Sequence, residues 1–260
     1  ITEGLVGSEM CIRDRNFHKA ASGKQNLNGR RIAYVGDIGG VIPLDKEVEK
    51  LVRAGAYAFG QLGCDVEEAC FDASDIQDII MGTRGFGMVA RYAERYDKYK
   101  NLMTSQLINQ VSAALNLSVR DVVRSERLRT EYWHKVRRFM ENFDYIVAPV
   151  VGAPPFRLDE PLPKQVGGVE VDRFQDVFLS TYVFSVTGLP MMSVPCGLTQ
   201  DGRPVGMQII ARRHREDQAI EAASAYERLL PDLFVRPKMD LTVLKPVSEA
   251  LNTPGVTIKK

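Results

Sequence analysis

The 260-residue chain has three histidines, one tryptophan and four cysteines, and it contains no Ser-Ser pair, no Gly-x-Ser-x-Gly and no Ser-x-x-Lys. Each shortage excludes something. A metal centre needs His, Cys or carboxylates grouped at ligand spacing. His18, His134 and His214 stand far apart, and five residues separate Cys64 from Cys70. No metal site and no cofactor is therefore expected. The strained serine turn of many hydrolases and the Ser-x-x-Lys pair of others are both missing, so no catalytic residue can be named. No apolar run approaches the ~18 residues of a membrane span, which argues against a membrane partner. Net charge is small as well. Lys and Arg number 34 against 33 Asp and Glu, a net of +1, which is no footprint for nucleic acid.

The first fifteen residues lack both targeting patterns. Glu3 and Glu9 interrupt any apolar stretch, and the segment is too acidic for a transit peptide. "LVGSEMCIRD" (5–14) back-translates to a string resembling the transposase adapter used to prepare sequencing libraries. Residues 1–15 are accordingly expected to be an adapter-derived artefact, outside fold reasoning. Setting them aside leaves 32 basic against 30 acidic side chains and three cysteines, Cys64, Cys70 and Cys196. An odd cysteine count without a secretion signal points to reduced thiols and a cytoplasmic location.

What is present reads as an α/β protein. "RRIAYVGD" (30–37) is a short β-rich run. Val48, Leu51, Val52, Phe59 and Leu62 then recur at helical spacing, acids fill the first turn, and Gly63 stands where a helix ends. "CDVEEACF" (64–71) returns as a strand, so the unit predicts a parallel βαβ pair. Residues 74–141 look mostly helical, with Ser118 and Asp121 close to a capping box. "YIVAPVV" (145–151) is a buried strand, and residues 152–172, with four prolines, form a long loop of the kind that often carries function. "MMSVPCG" (191–197) and "GRPVGMQIIA" (202–211) predict a hairpin turning at "LTQDG", followed by a helix over 214–230. "GTRGFG" (82–87) has the look of a phosphate loop but follows a helical run with the wrong spacing, so a dinucleotide site is rejected. Ser193 has no basic neighbour and reads as a strand serine. Cys196 reads as a buried thiol.

"FSVTGLPMMSVPCGLTQDGRPVGMQIIARRHREDQAIEAASAYE" (184–227) closely resembles the last block of amidase signature enzymes. The matching positions are Thr187, Gly188, Pro190, Pro195, Gly197, Gly202, Pro204, Gly206 and Gln208. "LNGRRIAYV" (27–35), "GCDVEE" (63–68) and "FDYIVAPV" (143–150) are similar to earlier blocks in family order. One departure stands out, because the family's usual Asn falls at Ser185. Gly206 is read as permitting a close approach of backbones.

The resemblance implies the C-terminal part of the amidase signature fold, a mixed central β-sheet flanked by helices, over residues 16–232, with 233–260 a C-terminal tail. It implies a C–N hydrolase that converts an amide and water to a carboxylate and an amine or ammonia. Its Lys base, bridging cis-Ser and nucleophilic Ser would lie upstream and be absent here, so the fragment alone would be inactive. The substrate is a small amide, and homodimerisation is left open. The expected substrate-binding wall is the loop after Pro149, with Val150, and the segment around Thr181, Phe184 and Ser185. An A subunit-like part of a glutamine-dependent transamidase and a non-catalytic binding module are the alternatives. A half-sheet is also expected to expose an unpaired edge and an apolar face.

Overall fold

The structure, a computed structural model, describes residues 16–23, 26–157 and 162–235. The segment read as adapter-derived and most of the C-terminal tail lie outside the described residues.

The expected βαβ unit is present. β1 (Arg31–Tyr34) leads into α2 (Lys46–Ala58), which a 3-10 turn (Phe59–Leu62) extends to β2 (Asp65–Glu68); α1 (Phe17–Ser22) precedes them. Asp45 caps α2 by accepting from the backbone N–H groups of Glu47 and Val48. Gly63 ends the turn at φ 78°, the left-handed conformation that sequence position suggested. The helical region divides into α3 (Ile76–Tyr99), α4 (Ser105–Leu115) and α5 (Val119–Phe139). Ser118 and Asp121 form a complete capping box at the start of α5. β3 (Tyr145–Pro149) follows.

Residues 152–172 are not loop throughout. Gln165–Val166 (β4) and Val169–Glu170 (β5) pair as a small hairpin. Gly167 and Gly168, both at positive φ, make the two-residue turn, a Gly-Gly signal that the prolines around it obscure. Helices α6 (Phe174–Val177) and α7 (Leu179–Ser185) lead to the expected hairpin of β6 (Met191–Leu198) and β7 (Pro204–Ala211), and α8 (Glu216–Leu229) and a 3-10 turn (Pro231–Phe234) close the order.

Five strands form one mixed sheet in the order β2-β1-β3-β7-β6. β1 runs parallel to β2 and β3. β7 is antiparallel to β3 and to β6. All five residues of β3 are buried, which explains its unbroken apolar run, because both sheet faces are covered. Alternation sorts the faces. Ile32, Tyr34, Tyr145, Val147, Met207 and Ile209 point into one core with α2 and α8. Ala33, Ile146, Ala148 and Ile210 point into the other with α3, α5 and α7.

The two outer strands differ. β2 is four residues long and carries Asp65, Glu67 and Glu68, the charge that guards a free edge against pairing. β6 is eight residues long with no charge at all. Among the described residues no strand pairs with its outer side. Val194 and Cys196 are buried beneath the first core, whereas Ser193 on the other face is exposed. Gly206 does not mark the close approach that the sequence suggested. A Cβ there would meet its nearest neighbour, Val150, at 3.5 Å, an ordinary contact.

The glycines of "GTRGFG" have a packing role. The stretch is helical, within α3. A Cβ on Gly82 would lie 2.0 Å from Ser125 Oγ, and one on Gly85 2.2 Å from Leu117 Cδ1. The two notches let α3 sit against α5 and the connection leading into it. Lys135 on α5 adds a tie, reaching Asp72 at 2.6 Å and Asp75 at 3.3 Å. Among the described residues no helix is long and apolar enough to cross a membrane.

Two outcomes follow from this packing. Gly82→Ala gains helix propensity of ~1 kcal/mol, but overpacking of about 1–3 kcal/mol against Ser125 outweighs it. Urea unfolding should show a net loss of stability, and a neutral or stabilised variant would contradict the notch. Lys135 and Ser74 hold the Asp72 carboxyl well below its usual range. A lowered folded-state value stabilises above the ordinary carboxylate value of 3.8 and fades as pH falls beneath it. Lys135→Met should therefore cost stability at neutral pH, ~1 kcal/mol or less because the pair is half-exposed. The cost should shrink as acid protonates Asp72.

Candidate functional site

The end of β3, the start of α7 and the middle of β7 meet through side-chain hydrogen bonds to carbonyls. Gln208 sits opposite Ala148 in the β3–β7 register. Its amide Nε2 donates to Pro149 O at 2.8 Å and to Ser180 O at 3.2 Å. Ser180 Oγ donates to Pro149 O, and Thr181 Oγ1 donates to Val150 O at 2.7 Å. From the opposite element, Tyr132 Oη on α5 donates to Val183 O at 3.0 Å. Thr187 then closes the end of α7, donating to Phe184 O and accepting from Leu189 N. Buried carbonyls need such partners, and here they orient the chain as it leaves the sheet.

The expected wall residues are thus partly brought together. Pro149, Val150 and Thr181 meet directly. Phe184, one turn along α7, is fully buried and lies edge-on to Phe71 at 6.0 Å. Ser185, where the family pattern has Asn, donates to Tyr182 O at 3.3 Å and lines a groove of about 350 Å³ with Ile80, Arg84, Met88 and Tyr182. A second cavity of about 320 Å³ opens between α3 and α4, with Ile80, Arg84 and Met88 as a shared wall. Arg84 donates to Gln110 Oε1 at 2.8 Å and lies 5.6 Å above the Tyr182 ring. In the sequence Arg84 stands out only within the stretch rejected as a phosphate loop. Its signal was the pair of glycines flanking it on one helix.

The described residues hold no assembled nucleophile. The serine–histidine contact is Ser22 with His18, 3.4 Å apart on exposed α1, and that hydroxyl already donates to His18 O at 2.7 Å. No described serine bonds to a lysine, and Lys135 is held by Asp72 and Asp75. Burial pushes the Cys64 thiol up to about 11 and the Cys196 thiol up to about 12, so neither is a thiolate at neutral pH. No group of three or more His, Cys, Asp or Glu able to hold a metal occurs among the described residues. The arrangement can shape a pocket wall and place carbonyls. It supplies no base.

Replacing Gln208 tests the carbonyl lock. Gln208→Leu withdraws both donations and should cost about 1–3 kcal/mol in denaturant unfolding. Gln208→Glu should cost more at pH 7, because its carboxylate faces two carbonyls, and the gap should close in acid as the carboxyl regains a proton to donate. Equal stabilities across pH would contradict the lock.

Comparison with known proteins places this geometry in a family. The Amidase family profile matches residues 6–220. An acylamidase of Rhodococcus erythropolis is 27% identical over 226 residues, covering 85% of this chain and 46% of that protein. The A subunit of the glutamyl-tRNA(Gln) amidotransferase of Acaryochloris marina is 25% identical over 228 residues, covering 78% of this chain and 46% of that protein. The crystal structure of a bacterial aryl acylamidase of the amidase signature enzymes superposes with a TM-score of 0.71 at 27% identity, over 86% of this chain and 49% of that one. The chain spans about half the length of the relatives it matches, and its sheet, helices and spaced C-terminal motifs make it a member of the Amidase family.

Proposed function

We propose that this chain is the C-terminal part of an amidase-type C–N hydrolase, forming one wall of its substrate pocket. Family membership supports the reaction class, in which an amide and water give a carboxylate and an amine or ammonia. The Lys base, bridging Ser and nucleophilic Ser come from sequence outside these 260 residues. The observation that carries this reading is the pairing of two facts. The chain covers 46% of an acylamidase, and its described serines bond to no lysine while its buried thiols stay protonated. The long, uncharged edge of β6 agrees with it, since such an edge is ordinarily paired or guarded. In this reading Pro149, Val150, Thr181, Phe184 and Ser185 belong to the wall, with Phe184 supporting it from the core. The free thiols of Cys64, Cys70 and Cys196 favour a reducing, cytoplasmic location.

A second reading has its own support in the likeness to the glutamyl-tRNA(Gln) amidotransferase chain. There the parent would release ammonia from glutamine only beside a partner protein.

The test is an amide panel, with aryl, aliphatic and cyclic amides and glutamine, offered to this chain and to the polypeptide read upstream of the Asn16 codon in the source DNA. This chain should release nothing above buffer, and the longer polypeptide should hydrolyse at least one amide. Hydrolysis by this chain alone, or a stop codon just upstream of Asn16, would overturn the proposal. Glutaminase activity that appears only with an added partner would select the second reading.

A further inference from the structure

The cavity between α3 and α4 contains two hydrogen-bond donors that no described residue uses. Arg84 Nε and Gln106 Nε2 are both buried, and neither has a partner among the described residues. Both line the same space of about 320 Å³. A buried N–H left unsatisfied costs about 1–3 kcal/mol, so two facing one cavity indicate an acceptor that belongs there.

Charge narrows the acceptor. Arg84 is partly buried, yet its bonded partner is the neutral Gln110 carbonyl and its stacking partner is Tyr182. Among the described residues no carboxylate pairs with it. The neighbouring Arg173, by contrast, is engaged with Asp176 at 3.0 Å and with Gln77. A guanidinium whose Nε is buried without a counter-ion favours an anion, and a carboxylate can accept from a guanidinium and an amide together. The rest of the lining is mixed. Asp172, itself exposed, lies next to Arg173, and Ser105, Asn109 and Gln175 are polar. Ile80, Met81, Met88, Ala113 and Ala114 are the apolar part that meets the body of the ligand, and the two methionines adapt to chains of varied shape. Gly85 lines the same cavity, and its missing side chain lets α3 approach Leu117, which fixes the spacing of the walls.

We propose that this chain binds a small aliphatic carboxylate between α3 and α4, its carboxylate held by Arg84 Nε and Gln106 Nε2 and its chain against Met81 and Met88. The proposal concerns binding by this chain alone and does not depend on the hydrolase reading, although a carboxylate is also what amide hydrolysis yields. An aliphatic alcohol or amine of equal length fits the apolar part but offers the donors no anion.

The test is ligand-observed NMR of the whole chain with hexanoate, hexan-1-ol and hexylamine. Hexanoate should bind, and the alcohol and amine should bind about tenfold more weakly or not at all. Arg84→Gln should lose about tenfold in hexanoate affinity, the size of one charge-assisted contact. Gln106→Glu guards against misfolding as the explanation. It places a carboxylate beside Arg84, so it should abolish hexanoate binding while keeping or raising the thermal midpoint. Arg137→Gln, whose arginine pairs with Glu141 on an exposed face, should bind as the parent does. No hexanoate binding by the parent chain, equal binding of hexanoate and hexan-1-ol, or unchanged affinity in Gln106→Glu would each overturn the proposal.

Discussion

The β3–β7 pairing is the constraint on which the remaining structure depends. It is where the sheet changes from parallel to antiparallel, and it places Gln208 opposite Ala148, within reach of Pro149 O and Ser180 O. A strand leaving a sheet exposes its last carbonyls. Here one amide side chain and two hydroxyls satisfy them, and in doing so they fix the short helix α7. With α7 fixed, Tyr182 is set above Arg84, and Ser185 is set along the groove against α3. The candidate wall is thus a consequence of backbone satisfaction at one strand end.

The two sides of the sheet carry different burdens. The side under α2 and α8 is a closed core of aliphatic and aromatic residues that accounts for the order of the βαβ unit and the hairpin. The other side holds α3, α5 and α7, and it is there that exposed Ser193, the groove along Ser185 and the cavity lined by Arg84 and Gln106 are found. Packing that is tight by way of Gly82 and Gly85 brings α3 close enough to position Arg84, yet leaves space beside α4. Stability and a binding surface are therefore divided between faces of one sheet.

Much of the fold was legible in the sequence, because its signals are local. Periodicity found α2 and α8, β-rich runs found β1 and β3, and the Asp201-Gly202 turn found the β6–β7 hairpin, with Gly202 at φ 83°. The β4–β5 hairpin escaped because a proline-rich surrounding reads as loop. The site was less legible, since its parts are distant in sequence. Gln208 stood in a matched motif, but its bonds to residues 59 and 28 positions away have no local signature. Ser180, Tyr132, Arg84 and Gln106 carry no motif of their own. Their roles arise only where α3, α4, α5 and α7 converge.

Among the described residues no serine bonds to a lysine, and the proposed role as a pocket wall requires that this chain hold no activated nucleophile. A fluorophosphonate probe tests it most directly, because it forms a covalent bond with a serine hydroxyl only where a base has activated it. Intact-mass analysis of this chain after exposure should find no adduct. A stoichiometric adduct mapped to any serine here, Ser180 or Ser193 among them, would contradict the claim and relocate the chemistry into these 260 residues.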